Sequence, residues 1–90
     1  MVAFTVLLHL RASKELEKVE NQIRFRILER LKELRHNPEK IGKMLRHSNF
    51  WSLRIRDHRA IYEIDKSKNQ VVILLIGHRS KVYDDFSKML

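Results

Sequence analysis

Residues 50 to 62, Phe50-Trp51-Ser52-Leu53-Arg54-Ile55-Arg56-Asp57-His58-Arg59-Ala60-Ile61-Tyr62, constrain the fold more than any other stretch of the chain. Trp51, Leu53 and Ile55 alternate with Ser52, Arg54 and Arg56, the period of two expected of a strand with one buried face. Taking Asp57-His58 as a two-residue hairpin loop sets residue 56 opposite 59, 55 opposite 60, 54 opposite 61 and 53 opposite 62. In that register Trp51, Leu53, Ile55, Ala60, Tyr62 and Ile64 share one face, and Arg54, Arg56 and Arg59 the other. Guanidiniums gathered on a rigid ribbon repel one another unless an anion lies across them, and a phosphate chain is the obvious candidate.

The rest of the chain agrees with an anionic partner. Nineteen Lys and Arg against eleven Asp and Glu give a net charge of +8. Ninety residues are expected to form a single domain over 1–90. The absence of cysteine excludes disulfides and thiolate metal sites, and small extracellular domains usually need disulfide staples. Residues 1 to 10 are too short and too alternating for a signal segment, and no apolar run approaches the roughly 18 residues of a membrane span. The expectation is a cytoplasmic protein with no membrane association.

Phe4, Val6, Leu8 and Leu10 alternate with Thr5, Leu7 and His9, predicting a first strand over residues 2 to 10, with His9 on its outer face as an incidental side chain. Ser13 is the expected N-cap of a helix. Leu16, Val19, Ile23, Ile27, Leu31 and Leu34 then recur at three- and four-residue steps, and Glu20-Asn21 divides them into a short and a longer helix. Asn37-Pro38 ends the second. Arg24, Arg26, Arg30, Lys32 and Arg35 ring its outer side as a solvated face with Glu29 and Glu33. Pro38 to Ser48 is a basic connection carrying Lys40, Lys43, Arg46 and His47, with Ile41, Met44 and Leu45 as expected core anchors; Lys43 and Arg46 are placed to touch a phosphate. Asp65 to Asn69 is turn material, and Val71 to Ile76 reads as an interior strand covered on both faces. A bulge or bend at Gly77 would swing Arg79 toward the arginines of the hairpin. Ser80 is expected to cap a final short helix packed through Val82, Phe86 and Met89 or Leu90, with Tyr83 divided between a structural and a chemical role.

The order is α+β: an N-terminal strand, two helices forming a helical hairpin, a three-stranded antiparallel meander and a short C-terminal helix. With these residues in hand, the chain resembles the RelE/ParE superfamily of toxins, the RelE branch in particular. The specific part is Trp51-Ser52-Leu53-Arg54-Ile55-Arg56-Asp57-His58-Arg59-Ala60-Ile61-Tyr62 followed by Ile76-Gly77-His78-Arg79 and Val82-Tyr83. The resemblance implies a RelE-like fold and a ribosome-dependent endoribonuclease that cleaves mRNA in the decoding site, held inactive by a RelB-type antitoxin and using no cofactor or metal. It assigns the catalytic positions to Arg54, Arg59, Arg79 and Tyr83. Two departures stand out: Ser52 replaces a lysine of some members, and His58 replaces the aromatic that usually precedes the arginine.

Metal-free RNA cleavage needs the 2′-hydroxyl deprotonated, the charge on the pentavalent phosphate stabilised and the leaving 5′-oxygen protonated. Arg54, Arg59 and Arg79 suit the second task, because guanidinium grips phosphate bidentately and keeps its charge. Tyr83 is the candidate base, a role a phenol fills only beside cations that favour its ionised form. Lys43, Arg46, Arg56 and His58 are the expected further RNA contacts. Two other readings compete: a ParE-like inhibitor of DNA gyrase that cuts nothing, and a basic nucleic-acid or ribosome-binding module without chemistry.

Overall fold

An apolar run has to be covered on both faces, and the run Val71 to Ile76 lies inside the sheet of the structure, a computed structural model that describes residues 3–46 and 48–90. Met1, Val2 and His47 therefore lie outside the described residues. The chain runs through β1 (Thr5–Leu8), α1 (Leu10–Lys18) and α2 (Asn21–Lys32), then a 3-10 turn (Glu33–Arg35), α3 (Pro38–Ile41) and β2 (Lys43–Met44). β3 (Phe50–Ile55), β4 (His58–Asp65), β5 (Gln70–His78) and α4 (Val82–Met89) complete it. The sheet order is β1-β5-β4-β3-β2, with β1 parallel to β5 and the other neighbours antiparallel. This is the expected α+β order with one further strand. β2 is two residues long, too short to show a period, and extends the sheet by pairing Lys43 with Ser52 and Met44 with Trp51.

The helical hairpin of α1 and α2 covers one face of the sheet. Ala12, Leu16, Ile27, Leu31 and Leu34 pack there on Leu53, Ile55, Ala60, Tyr62, Ile73 and Ile76. α4 covers part of the other face, where Val82 and Phe86 meet Ile61 and Leu75 and the Phe86 ring meets Phe50 edge-on at 5.0 Å. Trp51 stacks on Tyr62 at 6.4 Å on the hairpin side, the packing role its parity predicts. Of the expected anchors in the connection, Ile41 and Leu45 pack against the cores, whereas Met44 is 56% exposed on the edge strand.

Several local expectations are corrected. The β3–β4 loop is Arg56-Asp57, with Ile55 opposite His58, Arg54 opposite Arg59 and Leu53 opposite Ala60. Arg56 takes a left-handed conformation at φ 54, which local sequence does not advertise in an arginine. The faces of the paired residues survive because moving a two-residue loop by one position changes each partner by two, which preserves parity, but Arg56, now in the loop, leaves the face of Arg54 and Arg59. The first strand is shorter than expected: His9 donates its backbone N–H to the Ile73 carbonyl (2.8 Å) and caps α1, its Nδ1 accepting from the Arg11 N–H at 3.2 Å, so Ser13 lies inside the helix. The break before Asn21 is present. Arg24 is part of it rather than of the solvated ring, donating to the carbonyls of Leu16 (3.0 Å), Glu17 (2.7 Å) and Val19 (3.0 Å) at the end of α1. Ser80 does not cap α4; it bonds His78 Nδ1 at 2.8 Å.

The sheet irregularity is not at Gly77. Ile61 pairs with Leu75 and Tyr62 with Ile73, leaving Leu74 as the extra residue. Gly77 pairs regularly with Arg59, and its lack of a side chain admits α4, since a Cβ there would lie 3.3 Å from Val82 Cβ. No helix among the described residues is long and apolar enough to cross a membrane.

Tyr62 is fully buried and donates its hydroxyl to the Pro38 carbonyl at 2.6 Å, tying the connection before β2 to the sheet. A Cβ at Gly42 would overlap that hydroxyl, so Gly42→Ala is expected to cost about 1–3 kcal/mol in urea unfolding through overpacking. Tyr62→Phe leaves the carbonyl unpaired and should cost about 1–2 kcal/mol near neutral pH. Burial pushes the Tyr62 phenol up to about 12 against weaker lowering by the Gly42 backbone and Arg30. The folded state thus favours the neutral phenol, and its contribution fades as pH rises from about 10 to about 12. The stability gap between wild type and Tyr62→Phe should narrow across that window.

Candidate functional site

Phe50, Ser52 and Arg54 alternate on the β3 face that α4 covers only in part. Phe50 lies under Phe86, and beyond it the sheet is left to polar side chains. Arg54 stands directly opposite Arg59, and Lys43 opposite Ser52. With Arg46 from the segment before β3 and Tyr83 from the first turn of α4, these residues line a hollow of ≈ 530 Å³. Lys43, Arg46, Arg54 and Arg59 bring four cations to it, and among the described residues no carboxylate lines it. Among the described residues, none of the four is ion-paired.

Two of these side chains are held in place. The Tyr83 hydroxyl and Ser52 Oγ share a hydrogen bond of 2.9 Å in which either can donate. Ser52 is 8% exposed and Tyr83 42%, so the phenol is fixed at its tip to the floor while its ring faces solvent. The Arg59 guanidinium is laid along its own hairpin, donating to the carbonyls of Arg56 (2.8 Å) and His58 (2.9 Å). The free edge of β3 is met by α2, where Arg30 Nε donates to the Arg54 carbonyl at 3.3 Å.

The structure therefore brings together Lys43, Arg46, Arg54, Arg59 and Tyr83 of the residues singled out in the sequence. Arg79 lies outside the lining, at the tip of the hairpin: its backbone N–H donates to the Asp57 carbonyl (2.7 Å) and its Nε lies 3.8 Å from the Asp57 carboxylate, both side chains largely exposed. Arg56 and His58 turn to other hollows. His58 faces the helical hairpin, beside Gln22, Ile23 and Arg26, with its ring edge-on to His78 at 5.7 Å. A separate groove of ≈ 650 Å³ between β1 and α2 is lined mainly by apolar side chains, Phe4, Val6, Leu8, Phe25 and Leu28 among them, with Glu29, Lys32 and Arg35 also in the lining. No cluster of three or more His, Asp or Glu among the described residues is arranged to hold a metal.

The sequence model of the family described as the ParE toxin of type II toxin–antitoxin systems matches residues 6–83. The chain is also similar to a solved chain of the RelBE2 toxin–antitoxin complex of Mycobacterium tuberculosis, with 32% identity over 90% of this chain and 97% of that one and a TM-score of 0.81. The chain belongs to the RelE/ParE superfamily of type II toxins. The fold is shared more widely. The isolated Escherichia coli RelE toxin is 24% identical over 97% of this chain and 98% of that one, with a TM-score of 0.75. A chain of the archaeal RelE–RelB complex of Pyrococcus horikoshii is 21% identical over 89% and 99%, with a TM-score of 0.72. A comparison with curated protein sequences gives no match.

Within this superfamily fold, Ser52 gains a place that the sequence did not give it. Read as the loss of a lysine, it is instead the buried partner of Tyr83. The signal was its parity: it shares a face with Arg54 two residues on, so it belongs to whatever surface the arginines define. Met44 and Leu45, expected only in the core, also line the hollow.

The His58 imidazole is held below its ordinary value by burial first and by His78 second, with Asp57 opposing. Folding therefore favours neutral His58, and that contribution is present above about pH 6.5 and lost as pH falls through the lowered value. An NMR titration should give His58 a midpoint below 6.5, and His78→Ala should move it upward; an unmoved midpoint would remove His78 as a cause.

Proposed function

We propose that this toxin is a metal-independent endoribonuclease that cuts mRNA in the ribosomal A site by attack of the 2′-hydroxyl, and that a RelB-type antitoxin holds it inactive. The observation supporting this is the cleft, where Arg54, Arg59 and an anchored Tyr83 line one open hollow without a carboxylate. In the proposed reaction Tyr83 acts as phenolate, its oxygen accepting from the Ser52 hydroxyl, and takes the 2′-hydroxyl proton. The 2′-oxygen forms a bond to phosphorus as the bond from phosphorus to the 5′-oxygen breaks, the departing 5′-oxygen takes a proton from water, and a 2′,3′-cyclic phosphate remains. Arg59, held by its own hairpin, and Arg54 opposite it face the charge that builds on the phosphate, and such electrostatic stabilisation is usually the largest single contribution to rate. Arg79 reaches the phosphate by leaving Asp57, a separation that costs little because the pair is exposed.

Ribosome dependence follows from the modest base. A site with a phenol gains most when its partner presents the strand bent, the 2′-oxygen already in line with phosphorus. Structures similar to this chain include toxins solved in complex with RelB, and a net charge of +8 suits an acidic inhibitor.

The ParE family match favours a second reading, an inhibitor of DNA gyrase that cuts nothing. Purified toxin added separately to translating ribosomes and to gyrase with DNA distinguishes them. Codon-spaced cuts in mRNA support the proposal; accumulated gyrase–DNA adducts with intact mRNA replace it with the second. Arg79→Ala is expected to lose most cleavage with its unfolding midpoint unchanged, and retained cleavage removes Arg79 from the reaction. Tyr83→Phe should slow single-turnover cleavage at least about tenfold, the low end of general-base effects.

A further inference from the structure

Arg54 lines two hollows: the cleft, and a smaller one of ≈ 350 Å³ where Phe25, Arg26, Arg30, Ile55 and Arg56 meet around the free edge of β3. Two carboxylates also line the second hollow, and both are occupied. Glu33 is bound by Arg30 at 2.8 Å and Glu29 by Lys32 at 3.3 Å. Arg26 and Arg56 are exposed and, among the described residues, not ion-paired. Phe25 stands beside them with 64% of its surface exposed, a large apolar ring that belongs to neither core and lies between this hollow and the apolar groove of β1 and α2.

An exposed aromatic ring beside two uncommitted guanidiniums is the combination that holds single-stranded nucleic acid, the ring stacking a base and the cations following the backbone. The positions matter as much as the residue types. Lys43 and Arg46, then Arg59 and Arg54, then Arg56 and Arg26 trace one basic path from the cleft, over the β3 edge, to Phe25. We propose that the hollow at Phe25, Arg26 and Arg56 is a second RNA-binding site that takes the single strand continuing from the cleft. A base rests on Phe25 and flanking phosphates on Arg26 and Arg56. This deepens the endoribonuclease reading and rests on it for the identity of the strand. It also gives Arg56 an RNA contact away from the cleft.

The test uses the full chain and 2′-O-methyl oligouridylates, which lack the nucleophile and stay intact. One probe is about 3 nucleotides long, filling the cleft alone, and one about 10, within the usual range of single-strand sites. Binding is followed by fluorescence anisotropy across a salt series. Phe25→Ala should weaken the long probe about tenfold and leave the short one unchanged. Arg26→Gln with Arg56→Asn should lower the salt slope for the long probe by about 1.4, two phosphate contacts on a single strand. Asn is chosen because position 56 needs a left-handed backbone. Equal affinity of all variants for the long probe overturns the proposal. So does a loss confined to antitoxin binding, which would make this a protein-docking face. Weakened binding to ribosomes free of mRNA, with the long probe unaffected, transfers the site to ribosomal RNA and overturns the messenger path. Failure of the enzymatic reading is read separately: wild-type toxin would bind both probes yet leave mRNA uncut on ribosomes.

Discussion

The pairing of β4 with β5, with Leu74 as its extra residue, decides where everything on the sheet points. Before the irregularity Val71 and Ile73 pack in the core under the helical hairpin; after it Leu75 packs under α4. Strand side chains alternate, so without the extra residue the C-terminal half of β5 would turn over and carry Gly77 to the other face. The flat spot that admits Val82 would then be on the wrong side. Val82 seats α4, and the next residue is Tyr83, whose hydroxyl reaches Ser52. One inserted residue in a central strand therefore fixes a phenol over an edge-proximal serine two strands away.

A second constraint comes from the opposite face. Tyr62 is buried against the helical hairpin, yet its hydroxyl fixes the Pro38 carbonyl and its tip packs where Gly42 has no side chain. The chain continues from Gly42 directly into Lys43–Met44, which pairs with β3 and forms one wall of the cleft. A hydrogen bond in the core thus sets the height of a basic wall on the solvent side. Such coupling is expected where loops carry function on a rigid scaffold.

What the sequence made legible follows from the strength of each periodic signal. Face assignments along β3 and β4 depend on parity and withstood a misplaced loop for every residue that stayed in a strand; Arg56 did not stay, and the Arg54–Arg59 pairing needed the true turn, which uses that arginine in a left-handed conformation no local rule favours. The two-residue β2 has no period to read. Arg24 looked like one of several surface cations, because its three carbonyl partners exist only once α1 ends and α2 turns back. Arg79 was ambiguous for a good reason: the residue that reverses the alternation is Leu74, indistinguishable from its apolar neighbours. Among site residues, Lys43, Arg46, Arg54, Arg59 and Tyr83 converge as expected, while Ser52 was legible only as a position on their face.

The cleft carries an internal cost that bears on its use. Two guanidiniums about 6 Å apart repel by roughly 0.7 kcal/mol in water and about 3 kcal/mol at an effective dielectric near 20. Arg59 offsets part of this by donating to two carbonyls, and Arg54 lies at the solvent edge, but among the described residues no carboxylate in the hollow offsets the rest. A bound polyanion removes that repulsion, and any ligand of the folded state stabilises it by mass action. In the proposed scheme RNA and an acidic antitoxin satisfy the same unmet charge. They would compete for these cations wherever their footprints overlap, even if an antitoxin takes most of its contact area from the apolar groove between β1 and α2. Inhibition then requires no distortion of the site, only that the anionic segment of the inhibitor be tethered at an effective concentration above that of the messenger strand.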